Sequence, residues 1–375
     1  MKAAAITISV CCEGTMKTNL DRQVSPLQGF KALLNRKANT NTCCIGRPSD
    51  ERFHMHEYLP QEGFILRKQP GVEFRILNIT DPHFADYDYR ALAAFEVEAT
   101  FRRLVKAIQP DLITVTGDMI CSDNALYSIK RLCQMFESAG IPWAPVFGNH
   151  DDETNMDLNY QAAVYMQCPN CLFKMGDPGM GVGNYTIHIA EETADGLKFS
   201  ETLIMADSHH SQFNFKQLQW IGAVTASMEK LTGGRHETAV FCHIPLPEYQ
   251  AAYDEARDEE QKLWRSEYRA VGEKHEEICC ERNASGPVYR GALEELKKHP
   301  SLKYVFCGHE HLNNFSILYQ GVRLTYTMKI GKGSGFGFGL NGGTLITVGG
   351  DGIREIAHKE EHKGIITDRA KVVLL

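Results

Sequence analysis

The stretch "IPWAPVFGNHDDE", Ile141 to Glu153, joins an apolar run to a dense group of polar side chains. The run as far as Phe147 is almost wholly apolar, which favours a buried strand, and Gly148 then permits a sharp turn. An amide, an imidazole and three acidic side chains follow without a break. Such an end is typical either of a polar surface turn or of a ligand site at the edge of a sheet.

Two strand-and-helix units precede this stretch and predict the class of fold. The run "VEFRILNIT", Val72 to Thr80, has the composition of a buried strand, and "PDLITVTGD" is a second such run. The segments "YRALAAFEVEATFRRLVKAI" and "NALYSIKRLCQMFESAG" carry apolar residues at helical spacing. Strands that alternate with helices in this way predict parallel pairing with right-handed crossovers.

The pattern changes after residue 153. The runs "NYTIHIA" and "ETLIMADS" predict a hairpin, "FNFKQLQWIGAVTASMEKL" a helix, and "ETAVFCHIPLP" and "LKYVFCGHEH" two more strands. A charged stretch from Tyr249 to Glu277 is predicted to be helical, either as a surface helix or as a lid over a substrate. Short C-terminal β runs with glycine turns are typical of the second sheet of a sandwich, so we expect one α/β domain with two layers of sheet.

The N-terminal part differs in composition from the rest. Residues 1–70 are polar and weakly periodic, so we expect an extension, followed by a folded domain over residues 71–375. The first residues, "MKAAAITISVCCEGT", have the outline of a short secretory signal, although Thr and Ser interrupt the apolar run. We expect a cytoplasmic protein and keep secretion as the alternative.

Composition limits the classes of partner. The chain has 375 residues, 43% of them hydrophobic, and a formal net charge of −7. No run approaches the ~18 apolar residues of a membrane span. The negative charge argues against a nucleic acid as partner, because phosphate backbones are bound by basic surfaces. Neither composition nor motifs indicate an oligomeric state.

Five predicted strands end in residue types that bind metals. Because the carboxyl ends of strands in an open α/β sheet meet at one crevice, these side chains are expected to converge. The candidate ligands are Asp81, His83, Asp118, Asn149, His243, His309 and His311. Seven ligands are too many for one tetrahedral ion and suit two ions that share a bridging carboxylate. Carboxylate, amide and imidazole ligands fit two divalent or trivalent ions of manganese, iron or zinc.

Each of these motifs has an ordinary structural explanation when taken alone. A single His or Asp at a strand end is more often a cap or a hydrogen-bonded surface group than a ligand. Their order along the chain, D-x-H, GD, GNH, H and GHxH, each after an apolar strand, is hard to obtain by chance. The combination favours a metal site.

This series of motifs resembles the calcineurin-like metallophosphoesterase superfamily. Within it, "ILNITDPHF", "VFGNHDDE", "HIPLPEY" and "VFCGHEHLNNF" are similar to a group related to the purple acid phosphatases. The resemblance runs from about Phe74 to about Gly350. It implies a four-layered α/β/β/α metallophosphoesterase sandwich with mixed sheets, and makes residues 71–375 the catalytic domain.

The resemblance also implies roles for individual residues. The first ion would be held by Asp81, His83, Asp118 and His311. The second ion would be held by Asp118, Asn149, His243 and His309. His150 matches the catalytic histidine of the family, and Asp151 matches the carboxylate that often follows it. Cys121 stands where purple acid phosphatases have a tyrosine that binds ferric iron, so we do not expect a purple protein.

The implied activity is hydrolysis of phosphoric esters by a dinuclear metal centre with a bridging hydroxide as nucleophile. In this hypothesis His150 protonates the leaving group, and Asp151 or Asp152 fixes its tautomer. The substrate is expected to be a phosphorylated small molecule or a phosphoprotein. A phosphodiesterase or nuclease of the same superfamily, and a catalytically inactive metal-binding scaffold, are the alternatives.

Overall fold

Two mixed β-sheets face each other in this protein and carry helices on their outer surfaces. A computed structural model describes residues 58–85, 88–278, 291–331 and 340–374, and the side chains of residues 88–92 are excepted. The helices in the described part are α1 (Asp88–Ile108), α2 (Ala125–Glu137), α3 (Leu158–Tyr165), α4 (Phe215–Thr232), α5 (Glu248–Ala256) and α6 (Ala292–Leu296). Short 3₁₀ turns lie at Pro60–Glu62, Asp151–Glu153, Pro178–Met180 and Ser266–Tyr268.

Fifteen strands are present in the described residues. They are β1 (Phe64–Lys68), β2 (Phe74–Ile79), β3 (Leu112–Thr116), β4 (Trp143–Val146), β5 (Tyr185–Thr193), β6 (Gly196–Met205), β7 (Glu237–Phe241), β8 (Arg257–Asp258), β9 (Leu263–Trp264), β10 (Leu302–Cys307), β11 (Ser316–Tyr319), β12 (Val322–Tyr326), β13 (Gly342–Val348), β14 (Ile353–His362) and β15 (Ile365–Val373). The larger sheet has the order β1-β5-β6-β7-β10-β12-β11, and the smaller has the order β15-β14-β13-β2-β3-β4. Strands β8 and β9 pair separately.

Parallel pairing lies at the centre of the larger sheet and along one side of the smaller sheet. Strands β2, β3 and β4 are parallel neighbours, and so are β6, β7, β10 and β12. The strand β3, "LITVT", is buried at all five positions, as expected for a parallel strand covered on both faces. The predicted parallel unit and the predicted β5–β6 hairpin are both confirmed.

The strand β7 shows how the layers are stacked. Its residues Ala239 and Phe241 belong to the hydrophobic cluster between the two sheets. The alternate residue Val240 belongs to a second cluster with α4, α5 and α6. Since successive side chains of a strand point to opposite faces, one face of the larger sheet meets the smaller sheet and the other meets helices. Helices α1 and α2 contribute to the first cluster, so the layers are helix, sheet, sheet and helix, as predicted.

Local signals explain where the longest of the later helices begins and ends. Asn214 caps α4: its side chain accepts a hydrogen bond from the Gln217 backbone, and the Gln217 side chain accepts one from the Asn214 backbone. At the other end, Gly233 adopts a left-handed conformation with φ 64°. Among the described residues, no helix is both long and apolar enough to cross a bilayer.

Two predictions about secondary structure are wrong. The charged stretch 249–277 is helical only within α5, and continues as the β8–β9 pair, a 3₁₀ turn and a loop. Its charged residues lack a sustained apolar face after residue 256, and helices in proteins depend on such a face. The C-terminal strands do not form the second sheet, because β13 pairs with β2 and extends the first predicted sheet. The second sheet is built from β5–β7 and β10–β12 instead.

Residues 58–70 of the predicted extension are described, and they contain β1. Strand β1 pairs with β5 at the edge of the larger sheet, and Leu66 is fully buried. The predicted extension as far as residue 57, including the signal-like N-terminus, lies outside the described residues. The glycine-rich run 332–339 also lies outside them.

Candidate metal centre

The candidate ligands come together at one edge of the sandwich. Those after β2, β3 and β4 come from the smaller sheet, and those after β7 and β10 come from the larger one. Two groups form, and within each group the possible ligand atoms lie within 4.8 Å of one another. The first group is Asp81, His83, Asp118 and His311, and the second is Asp118, His243 and His309.

Carboxylate and imidazole atoms of the first group face each other closely. The Nε2 atoms of His83 and His311 are 3.2 Å apart. His311 Nε2 lies 3.4 Å from Asp81 Oδ1, and His83 Nε2 lies 3.4 Å from Asp118 Oδ2. Asp81 is oriented through its other oxygen, Oδ2, which accepts hydrogen bonds from the Thr80 hydroxyl and the His309 backbone N–H.

The second group shares Asp118 with the first. His243 Nε2 lies 3.3 Å from Asp118 Oδ2, 3.3 Å from His309 Nδ1 and 3.1 Å from Asn149 Oδ1. The candidate ligand Asn149 therefore lies beside this group. His243 Nδ1 donates to the Thr116 carbonyl at 2.8 Å, which directs Nε2 towards the cluster.

The backbone at these positions is unusual. Asp81, His83, Asp118 and His309 have φ values of 52°, 43°, 51° and 79°, in the left-handed region that non-glycine residues rarely adopt. Such conformations occur where the surrounding structure enforces them, often at functional sites. Asp118 also comes so close to residue 148 that only glycine fits there. A Cβ atom on Gly148 would overlap the side chain and backbone of Asp118.

The charges within the cluster favour cations. Burial alone would raise the pKa of Asp81 and Asp118, but the neighbouring imidazoles, chiefly His311 for Asp81 and the charge of His243 for Asp118, hold both pKa values well below the ordinary one. Burial would also lower the pKa of His83 and His243. The carboxylates Asp118 and Asp81 instead raise the pKa of His83 well above its ordinary value and that of His243 to about 9. The site therefore stabilises positive charge.

The hydrogen bonding of Asp118 fits a bridging ligand. Its Oδ1 atom accepts from the His150 backbone N–H at 2.9 Å. Its Oδ2 atom is buried and accepts no hydrogen bond from any described residue, although it faces both groups. A buried carboxylate oxygen without a partner is costly, and metal coordination would supply one. The nitrogen and oxygen donors fit manganese, iron or zinc.

His150 lies at the border of the cluster with its ring oriented. Its Nε2 atom is 4.0 Å from Asp118 Oδ2, and its ring centroid is 5.2 Å from that of His83. Its Nδ1 atom donates to Glu153 Oε2 at 2.6 Å. Glu153 is thus the carboxylate in contact with the ring, whereas Asp151 and Asp152 were the predicted partners.

Asp151 has a different set of contacts. One carboxylate oxygen accepts from the backbone N–H groups of Met119 and Ile120 at 2.9 Å, and the other accepts from Gly148 at 2.8 Å. Burial, followed by the charge of Asp118, raises the pKa of Asp151 to about 7. These contacts join the loop after β3 to the loop after β4. Asp151 therefore positions Met119 and Ile120, which follow Asp118, and Gly148, which precedes Asn149.

Further side chains lie around the site. The Ser208 hydroxyl accepts from the backbone N–H groups of His243 and Ile244 at 3.2 and 2.9 Å, which fastens the segment Ser208–His210 to the residues after β7. His210 Nε2 lies 3.1 Å from Asp152 Oδ2. The Cys121 side chain makes a hydrogen bond with His83, at the place where the resembling phosphatases have a tyrosine.

Comparisons with known proteins give a family and relatives of this chain. The family described as calcineurin-like phosphoesterase matches residues 74–313. "Probable inactive purple acid phosphatase 14" of Arabidopsis thaliana is 25% identical over 305 residues, covering 70% of this chain and 71% of that protein. "Phosphatase DCR2" of Saccharomyces cerevisiae is 26% identical over 282 residues, covering 67% of this chain and 46% of that protein.

A solved structure, a dimetal phosphatase from Danio rerio, aligns with a TM-score of 0.48 at 11% identity, covering 79% of this chain and 98% of that one. The family match spans more than half of the chain. It begins at the first residue of β2 and ends just beyond the GHEH motif, so it contains every candidate ligand. This chain belongs to the calcineurin-like phosphoesterase family, and its relatives are purple acid phosphatase-like proteins.

Proposed function

We propose that this protein is a phosphatase that hydrolyses phosphoric esters with two metal ions. The observation that carries the proposal is the sharing of one carboxylate, Asp118, by two groups of ligands. A shared carboxylate sets two ions about 3.5–4 Å apart, the separation of two-metal hydrolases. The substrate we propose is a phosphorylated small molecule or a phosphoprotein.

Two divalent ions, when bound, supply a hydroxide nucleophile at neutral pH and neutralise charge on the phosphoryl oxygens. The residues of the chain do the rest. Asp118 and the imidazoles around it would bind the ions in a buried site, where electrostatic interactions are stronger than in water. His150 is 23% exposed at its side chain, so it can meet the leaving group of a bound ester.

His150 is the proposed general acid. Its Nε2 atom is directed towards Asp118, and its Nδ1–H is held by Glu153. A proton on Nε2 can therefore pass to the leaving oxygen of an ester bound at the cluster. Such a transfer accelerates a reaction by about 10²–10⁴-fold, mostly for leaving groups that are poor without it.

An inactive scaffold is the competing proposal, and the name of the Arabidopsis relative describes that protein as probably inactive. Two observations support activity in this chain. All seven candidate ligands are present and converge, and His150 is present and oriented. A scaffold has no need of an oriented proton donor beside its metal ligands.

The test is a metal titration of the stripped full-length protein. Mn²⁺ is added while hydrolysis of nitrophenyl phosphate and of bis-nitrophenyl phosphate is measured, and bound metal is counted. We expect activity to saturate near two ions per chain, and the preferred ester separates a phosphatase from a phosphodiesterase. Asp118→Asn should be inactive, whereas Asp351→Asn, at an exposed residue paired with Lys198, should behave as the unmutated protein. Two bound ions with no hydrolysis of either ester would refute the enzyme and favour the scaffold.

A further inference from the structure

A row of polar side chains crosses the inner face of the larger sheet, at the end away from the metal centre. Glu201, Glu237, Tyr304 and Arg323 lie on the neighbouring strands β6, β7, β10 and β12. Glu201 is the register partner of Glu237, and Tyr304 that of Arg323. The row lies towards the amino-terminal ends of β7, β10 and β12. The candidate ligands follow the carboxyl-terminal ends of β7 and β10.

A cavity of about 840 Å³ opens beside this row. Glu237, Tyr304 and Arg323 line it from the larger sheet, and Thr347 lines it from the smaller one. The exposed residue Arg354 is also part of the lining, so the cavity reaches the surface. Polar groups in a concave site of this size are typical of ligand binding.

Arg323 has incomplete hydrogen bonding. It is only 1% exposed, and its Nη1 atom donates to the Arg269 carbonyl and the Ser316 hydroxyl, each at 3.2 Å. Its Nε and Nη2 atoms are buried, and no described residue accepts a hydrogen bond from them. These two nitrogens form the edge of a guanidinium that binds two oxygens of one carboxylate or phosphate.

No carboxylate among the described residues neutralises this guanidinium. Glu237 is engaged elsewhere, because it accepts hydrogen bonds from the Tyr304 hydroxyl and the Ile353 backbone N–H, both at 3.0 Å. Burial, followed by the charge of Glu237, raises the pKa of Glu201 well above its ordinary value, which favours its neutral form. Burial lowers the pKa of Arg323 to about 10, so it remains charged at neutral pH. Arg323 is therefore a buried positive charge that has no paired carboxylate among the described residues.

We propose that this cavity binds a small oxyanion, a phosphate or a carboxylate, through the Nε and Nη2 atoms of Arg323. This second site is separate from the metal centre and independent of the proposed phosphatase activity. Since both nitrogens are buried, the guanidinium must rotate towards the cavity when the anion enters. The cavity lining also contains the cations Lys303 and Arg354 and the acidic residues Glu73, Asp351 and Glu355, so Arg323 supplies the buried donor of the site.

The test is calorimetric titration of the metal-loaded full-length protein with inorganic phosphate and, separately, with acetate. One binding site should persist in Asp118→Asn, which disables the metal centre. The same site should bind about 10- to 100-fold more weakly in Arg323→Gln and Arg323→Lys, because the lysine keeps the charge and loses the two-nitrogen edge. Arg102→Gln is the matched control: it removes a cation at an exposed position outside the cavity, and should change the affinity less than about threefold.

The outcomes separate the two sources of the anion. Binding of phosphate alone assigns a phosphate site, and binding of both assigns a general oxyanion site. Equal affinity in Arg323→Gln, or no binding beyond the metal centre, would overturn the proposal. If the arginine variants do not fold, a crystal structure of the unmutated protein soaked in phosphate tests the proposal instead. An anion within hydrogen-bonding distance of Nε and Nη2 supports the proposal, and an ordered water in that place refutes it.

Discussion

Glu153 is the residue whose substitution best tests how the metal centre works. The change Glu153→Gln keeps the size of the side chain and removes its charge. In the structure Glu153 Oε2 accepts from His150 Nδ1 at 2.6 Å, and no other described residue forms a hydrogen bond with that nitrogen. If His150 is the general acid, Glu153 acts only by holding His150.

The expected loss follows from the exposure of the pair. The Glu153 side chain is 58% exposed, so solvent screens its interaction with His150. Exposed ion pairs contribute about 0.2–1 kcal/mol, and the short contact places this one near the upper value. Glu153→Gln should therefore lower kcat by about fivefold at most, since 1.4 kcal/mol corresponds to a factor of ten. His150→Ala should lower kcat by about 10²–10⁴-fold for a poor leaving group.

The assay compares kcat for phenyl phosphate with kcat for nitrophenyl phosphate in a double-mutant cycle. Both single variants should lose more activity on phenyl phosphate, which has the poorer leaving group, with metal content unchanged. In the His150→Ala background, Glu153→Gln should have no further effect. Asp152→Asn is the matched control, because Asp152 contacts His210 and not His150. An equal loss from Glu153→Gln with and without His150, or equal losses on both esters, would refute the reasoning.

Three further predictions concern the metal centre and the core. Asp118→Asn should lower bound Mn²⁺ below two ions per chain by metal analysis; an unchanged content of two ions would contradict a bridging role. Gly148→Ala should weaken metal binding by about 10–100-fold, because its Cβ overlaps Asp118. Gly350→Ala, where the nearest atoms to a Cβ are 3.8 Å away, should not. Glu201→Gln should raise the free energy of unfolding at pH 7 and have no such effect below pH 4.5, the ordinary pKa. The reason is that the pKa of Glu201 is higher in the folded state than in the unfolded state. Its contribution to the stability of the fold is therefore fully present below the unfolded pKa, where Glu201 is protonated, and is lost as pH rises through the folded pKa. Urea unfolding at several pH values measures this difference, and a pH-independent difference would exclude it.

The strand ends could be predicted from the sequence with good accuracy. The run "LITVT" and the residues "GD" after it predicted a buried strand followed by a ligand, and β3 ends two residues before Asp118. This works because the information is local: apolar composition sets the strand, and a glycine sets the turn. The charged stretch 249–277 was predicted less well, because its residues suit a helix and a surface loop equally.

The partner of His150 could not be predicted from "HDDE", because three adjacent carboxylates are equivalent in a sequence. In the structure, Asp151–Glu153 forms a 3₁₀ turn. Residues three apart are aligned in such a turn, so Glu153 comes beside His150 while Asp151 points into the protein. The three carboxylates thus have three different environments that only the backbone conformation distinguishes.

The sequence by itself determined which residue types stand at the strand ends and in which order, because both are written in the local pattern. Only the tertiary structure decided that C-terminal strand β13 pairs with β2, and that Arg323 lies beside a cavity with no acidic partner in the described part of the chain. Those outcomes depend on which distant segments pack together. Packing is set by the mutual burial of surfaces far apart in the chain, and no single stretch of sequence contains that information.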